Sequence, residues 1–295
     1  MDIAKLLIER GAKVERINRL NETALMFASS KGFREIVSLL LKHGADIDAR
    51  DISEKTALLR AAQNGHLLTV EMLLLKGANM HFNAFDLGGE GGTALIQAAR
   101  NGHNDVLQKL LNDGAEINTT ELMFHHSALM VAALNGHLKS VKLLLNAGAD
   151  PMLKDTSQRT ASLLAATNKH LSVVKHLVDA KQNSKQTDSN GNGIWHLIAM
   201  SYAQKNTEVL STKIVKKNKD NFNLMKELIS QGISLDSINN DGETALMIAV
   251  KRENLELVKI LLNLGASTEI ITPDGENALS LAETSGNIEV LNLLR

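Results

Sequence analysis

The sequence predicts an all-α fold in which short helix pairs stack into a solenoid. Three observations predict it: a four-residue signature that returns at nearly constant intervals, a turn at a fixed distance behind it, and aliphatic runs at helical spacing. Composition agrees. Of the 295 residues, 44% are hydrophobic but only 3% are aromatic, so the core is mainly Leu, Ala and Ile. Small and aliphatic side chains suit close-packed helices better than facing sheets.

The signature TALM begins at Thr23. It recurs as TALL from Thr56, TALI from Thr93, SALM from Ser127, TASL from Thr160, TALM from Thr244 and NALS from Asn277. The intervals are 33, 37, 34, 33, 84 and 33 residues; a weaker copy, GIWH at 193–196, divides the long one into 33 and 51. The Thr or Ser at its head can accept a backbone N–H bond and so start a helix. Paired alanines follow, as at Ala61-Ala62 and Ala132-Ala133, and leave a thin face for a neighbouring helix. Next comes the turn: KGF, NGH three times, NKH and later SGN, with Gly65, Gly102 and Gly136 closing the NGH copies. The second helix presents Val141, Leu144 and Leu145 at helical spacing. Gly44, Gly77, Gly114, Gly148 and Gly265 stop these second helices in the left-handed conformation. Neither short helix can bury its apolar stripe alone, so the units must stack.

These residues, in this order, resemble the ankyrin repeat, D-x-x-G-x-T-P-L-H-x-A-A-x-x-G-H followed by a second helix and G-A-D. Copies begin near Asn18, Asp51, Gly88, Leu122, Asp155, Asp188, Asn239 and Thr272, and residues 1–17 match the second half of another. The resemblance therefore divides one array over 1–295 into 18–50, 51–83, 84–121, 122–154, 155–187, 188–238 with an insertion, 239–271 and 272–295. It implies β-hairpin-like fingers between helix pairs. One departure is systematic: the family's Pro after Thr is Ala here, or Ile194 in the sixth copy. Alanine propagates a helix well, so the change is tolerable.

Several sites suggested by short motifs dissolve into this frame. GGEGG at 88–92 has the glycines of a phosphate cradle, but Thr93 follows with no lysine, and the segment falls where two units join. DSNGNG from Asp188 has the first half of a calcium loop, yet its twelfth position is Ala199 instead of Glu. His125-His126 and His81 fall in fingers, but adjacent histidines rarely share one metal, so no metal is assigned. His66, His103, His137 and His170 occupy the Gly-His rung, where the resemblance implies a bond to the neighbouring loop backbone. Trp195, the only tryptophan, replaces the leucine of the signature and is expected in the core. Lys169 and Lys181 replace turn glycines, so the fifth copy is expected to be less regular. The sixth carries about 18 extra residues between its helices, with four lysines in 213–219, and is expected to be a solvated helix extension or loop. Residues 180–222 are accordingly expected to be the least ordered internal region.

The charge balance, 32 basic against 33 acidic residues, argues against nucleic acid, which usually demands a basic excess. The absence of cysteine excludes disulfides and thiolate metal sites, and a cytoplasmic location is expected. No apolar run is long enough for membrane insertion, and no cofactor, small-molecule substrate or catalytic triad stands out from the repeats. The resemblance implies a scaffold that binds a partner protein through its concave face and fingers, without catalysis. The alternative is the substrate-recruiting part of a larger enzyme or bacterial effector, delivered into a host cell. The chain opens inside a repeat and ends in a second helix, neither polar-capped, so a longer parent is expected. For the partner site the sequence offers Phe82, Phe85 and Phe124 in or beside two neighbouring fingers, accompanied by Met80, Leu87 and Met123. Arg100, Asn101 and Asn135 lie near by at helix ends, and His126 lies in the second finger. Two outcomes stay open: the rings are offered to a partner, or the longer loop folds over them.

Overall fold

The computed structural model describes residues 2–85, 91–180, 185–202 and 212–295, and divides into two units, Met1–Asp150 and Pro151–Arg295. The first unit opens with α1 (Asp2–Glu9) and continues in helix pairs. These are α2 (Ala24–Ser30) with α3 (Arg34–Lys42), α4 (Ala57–Gln63) with α5 (Leu67–Leu75), α6 (Ala94–Arg100) with α7 (Asn104–Asn112), and α8 (Ala128–Leu134) with α9 (Leu138–Asn146). The second unit pairs α10 (Ala161–Thr167) with α11 (Leu171–Ala180), α12 (Ile194–Ser201) with α13 (Thr212–Ser230), α14 (Ala245–Lys251) with α15 (Leu255–Asn263), and α16 (Ala278–Ser285) with α17 (Ile288–Leu294). Within each unit the first helices pack on one another in one row, as α2, α4, α6 and α8 do; α3, α5, α7 and α9 form a second row. No described helix is long and apolar enough to cross a membrane.

The signature residue starts the first helix as expected. Thr23, Thr56, Thr93, Ser127, Thr244 and Asn277 each accept the N–H three residues on, at 2.9–3.4 Å. Each such cap stabilises by about 1 kcal/mol. Thr160 does not, because Ser162 stands where other copies have Leu or Trp, and its hydroxyl lies 3.0 Å from that of Thr160. The paired alanines, among them Ala61, Ala62, Ala132 and Ala133, are fully buried.

Successive repeats are latched by the histidine rung. His66, His103 and His137 each donate from Nε2 to a carbonyl of the preceding repeat, Ser30, Gln63 and Arg100 respectively, at 3.0 Å. The ring lies flat on the preceding turn: a Cβ added to Gly65 would stand 2.5 Å from His103 Nδ1. Glycine is required there for this close approach as well as for its φ of +76°.

Two expectations need revision, and a third, the helix extension of the sixth copy, holds in part. Lys169 adopts the left-handed conformation itself, at φ 58°, so the fifth copy keeps its turn. Lys169 N–H donates to Ala166 and His170 N–H to Ala165, the bonds that Gly102 and His103 make in their copy. Those bonds hold a residue that strain of about 1–2 kcal/mol disfavours. The insertion of the sixth copy partly lengthens its second helix, since α13 runs for 19 residues; 203–211 and Lys181 lie outside the described residues. The connections between pairs carry single antiparallel bridges, Ile17–Thr23, Ala84–Gly92 and Thr120–Ser127, and no strand occurs among the described residues. One bridge is too short a ladder to count as a hairpin.

Trp195 is buried as expected and donates from Nε1 to the Ile233 carbonyl at 3.4 Å.

Candidate protein-binding surface

Five of the fingers fold around one acceptor side chain with a common pattern. Asn18, Asp51, Asp155, Asp188 and Asn239 each accept, through Oδ1, the backbone N–H groups two and four residues on, at 2.8–3.0 Å. The residue three beyond the acceptor is left-handed in every case: Asn21, Glu54, Gln158, Gly191 and Gly242. These are Asx turns, in which a short polar side chain imitates a backbone turn. The calcium-like segment is one of them. Asp188 spends Oδ1 on the backbone of Asn190 and Asn192 and Oδ2 on the Asn192 amide at 3.2 Å.

The fourth copy departs from this plan. Its finger is one residue longer, and its acceptor, Glu121, is one methylene longer. The Glu121 carboxylate is buried and takes the N–H groups of Met123 and Phe124, both at 2.7 Å, and of His126 at 3.2 Å. The left-handed residue shifts to His125. The loop is therefore pinned from inside, and its apolar tips point outward. Leu122, Met123 and Phe124 are 54%, 38% and 38% exposed. The Phe124 ring stacks on His126, with centroids 5.6 Å apart. His126 is only 7% exposed, so it supports that ring from below.

In the preceding finger Phe85 is 44% exposed, beside the Ala84–Gly92 bridge. The two fingers are tied by Asn83, whose Nδ2 donates to the Thr120 carbonyl at 2.8 Å. Phe82 and Met80 are half-buried, and the Arg50 guanidinium lies 5.5 Å from the Phe82 ring centre. Leu87 lies outside the described residues. Arg100 is half-buried and donates to the Gly91 carbonyl at 3.4 Å. Asn101 and Asn135 are exposed, and each turns Nδ2 back to its own helix, on Gln97 and Val131 at 3.0 and 2.8 Å.

Sequence reasoning missed Leu122, and with it the exposed Leu20 and Ile52 at the tips of earlier fingers and Phe27 on α2. The signal at the finger tips was positional: Leu122 and Ile52 directly follow the turn acceptor, where other copies carry Arg19, Thr156, Ser189 or Asn240, and Leu20 stands two beyond it, where others carry Ser53, Ser157, Asn190 or Asp241. It also missed the charged clasps that stiffen fingers against first helices. Arg60 on α4 reaches both Glu22, at 2.6 Å, and Asp51. Lys251 on α14 reaches Glu243 at 2.6 Å and Glu276 at 3.9 Å; the bond to Glu243 is the main cause that raises its pKa. His196 on α12 is fully buried between a backbone donor and an acceptor. Its Nδ1 accepts from Gly193 N–H at 3.1 Å, and Nε2 donates to the Glu243 carbonyl at 2.9 Å. Burial lowers its pKa below 6.5, so it stays neutral.

The chemistry on this face is that of contact. Exposed apolar tips sit on internally bonded turns of the first unit, and the Arg60 clasp in the same unit joins the first two fingers. A family model described as ankyrin repeats (3 copies) matches residues 1–86, 51–121, 129–220 and 212–295. No curated protein matches the chain. Ankyrin repeats are protein–protein interaction modules, and the matches run over nearly the whole sequence. The chain belongs to the ankyrin-repeat family.

Proposed function

We propose that the chain is a non-catalytic protein-binding scaffold and that the tips of its third and fourth fingers hold the partner. The observation that carries this reading is the Glu121 turn. It buries a carboxylate to fix a loop whose outward side chains are Leu122, Met123 and Phe124. Burying a charge is costly unless it is fully bonded, whereas exposing three large apolar side chains adds nothing to the stability of the stack. Interface cores favour such Met and aromatic groups. Phe85 and Phe124 are the anchors, Leu122 and Met123 enlarge the apolar area, and Arg100, Asn101 and Asn135 form its polar rim.

The experiment compares the wild-type chain with Phe85→Ser/Phe124→Ser as bait in the same lysate, followed by an affinity measurement with each protein recovered. The expected result is a partner held by the wild type and weakened by about 2 kcal/mol or more in the variant, with unchanged helical circular dichroism. Equal affinity for a folded double variant removes this site.

A further inference from the structure

The row of second helices carries a second feature. A cleft of about 430 Å³ opens between α1, α3 and α5, lined by Lys5, Arg34, Glu35, Ser38, Leu39, Lys42 and Met72. Arg34, Ser38 and Lys42 are spaced four apart and so share one stripe of α3. All three are exposed, whereas Leu39 and Met72 are half-buried and form an apolar floor. Lys5 faces them from α1 and shares its charge with Glu9 at 3.8 Å. Three cations thus oppose one lining carboxylate, Glu35, and the stack itself does not need this excess.

We propose that this cleft docks an extended acidic segment of a partner protein, with carboxylates at its two ends and an aliphatic side chain between them. The geometry sets the spacing. Arg34 and Lys42 are eight residues apart, about 12 Å along a helix. An extended chain covers that in about four residues, and its first, third and fifth side chains point to one face. An acidic-x-aliphatic-x-acidic segment therefore sets its carboxylates on Arg34 and Lys42 and its middle side chain on Leu39 and Met72, with Lys5 reinforcing the field. A membrane surface fits less well, because the cations line a cleft and α1 itself carries more acids than bases, Asp2 and Glu9 against Lys5.

The probe is a fluorescein-labelled peptide Glu-Ser-Leu-Ser-Glu with blocked ends, titrated with the whole chain by fluorescence anisotropy. The expected result is saturable binding that weakens at least about tenfold in Arg34→Glu/Lys42→Glu and falls with added salt. Lys139→Glu, an exposed reversal elsewhere in the same unit, should leave it unchanged. The same peptide with Lys at both ends should not bind. Equal binding to the reversed variant, or no binding to the wild type, overturns the proposal, as does binding to anionic phosphatidylserine vesicles but not to the peptide. Phe85→Ser/Phe124→Ser should bind the peptide normally, so the failure of one surface is distinguishable from that of the other.

Discussion

Replacing Gly102 by Ala tests the latch between repeats. Gly102 sits at φ +70°, where an L-residue loses about 1–2 kcal/mol. The new Cβ would also stand 2.8 Å from Nδ1 of His137 and 3.0 Å from two carbons of the same ring. That ring is not a flexible tip, because Nε2 is bonded to the Arg100 carbonyl at 3.0 Å. Relieving the overlap means shifting the imidazole and losing a bond of about 0.5–1.5 kcal/mol. The two contributions together destabilise by about 1.5–3.5 kcal/mol. His137→Ala alone removes the same bond and leaves the carbonyl without its partner, at about 1–3 kcal/mol. In the double variant the obstacle is gone, and Gly102→Ala costs only its backbone strain. The double variant should therefore be less destabilised than the sum of the singles, by about 0.5–1.5 kcal/mol. Urea titration followed by circular dichroism gives these energies. Hydrogen exchange in α6–α9 shows whether the loss is local, as expected for an array whose units open separately. Strict additivity, or a Gly102→Ala variant as stable as the wild type, refutes the packing argument.

Other outcomes follow from the same contacts. Glu253 is left-handed at φ 52° in the seventh copy, so Glu253→Gly should stabilise by about 0.5–1 kcal/mol, the relieved strain less the added chain entropy, read as a higher urea midpoint. Burial holds the pKa of His196 below 6.5, so the unfolded chain binds a proton that the folded chain refuses. The stability contributed is complete above about pH 6.5 and is lost as the pH falls through the lowered folded value; His196→Gln should flatten this acid limb in urea titrations. Glu121→Ala should leave helical content intact while releasing the finger, and its partner affinity should fall as in the Phe124 variant; unchanged affinity would show that Glu121 does not position the tips.

The register was legible because it is written in residues whose physics is local. A hydroxyl that caps, a glycine that turns and an alanine pair that thins a helix can each be read from one position and its neighbours. The histidine latch was legible only through resemblance, since its bond joins residues 36 to 40 apart. Exposure of the candidate anchors was not legible. It depends on how Glu121 closes a loop one residue longer than usual, and nothing in the order Glu-Leu-Met-Phe-His-His says which side chain turns inward. His126 went to the inside and Leu122 to the outside, the reverse of the expectation from their polarity. The clasps and the cleft between α1, α3 and α5 were hidden for a related reason. Each assembles side chains from two or three repeats, and they become neighbours only when the sequence is folded at its own period.

That periodicity also separates two kinds of departure. On buried rungs a change is absorbed: Trp195 finds the Ile233 carbonyl, Ser162 finds Thr160, and Lys169 takes the glycine conformation. Packing density leaves such residues no other option, so their oddity reports repair. On exposed rungs no neighbour demands repair, and an apolar side chain there gains nothing from the stack. Leu122, Met123 and Phe124 sit on such rungs, on a turn that needed a longer acceptor to hold them. Arg34 and Lys42 sit on such rungs of the opposite row. A departure that the fold does not absorb asks for an explanation outside the fold, and the two partner surfaces proposed above supply one.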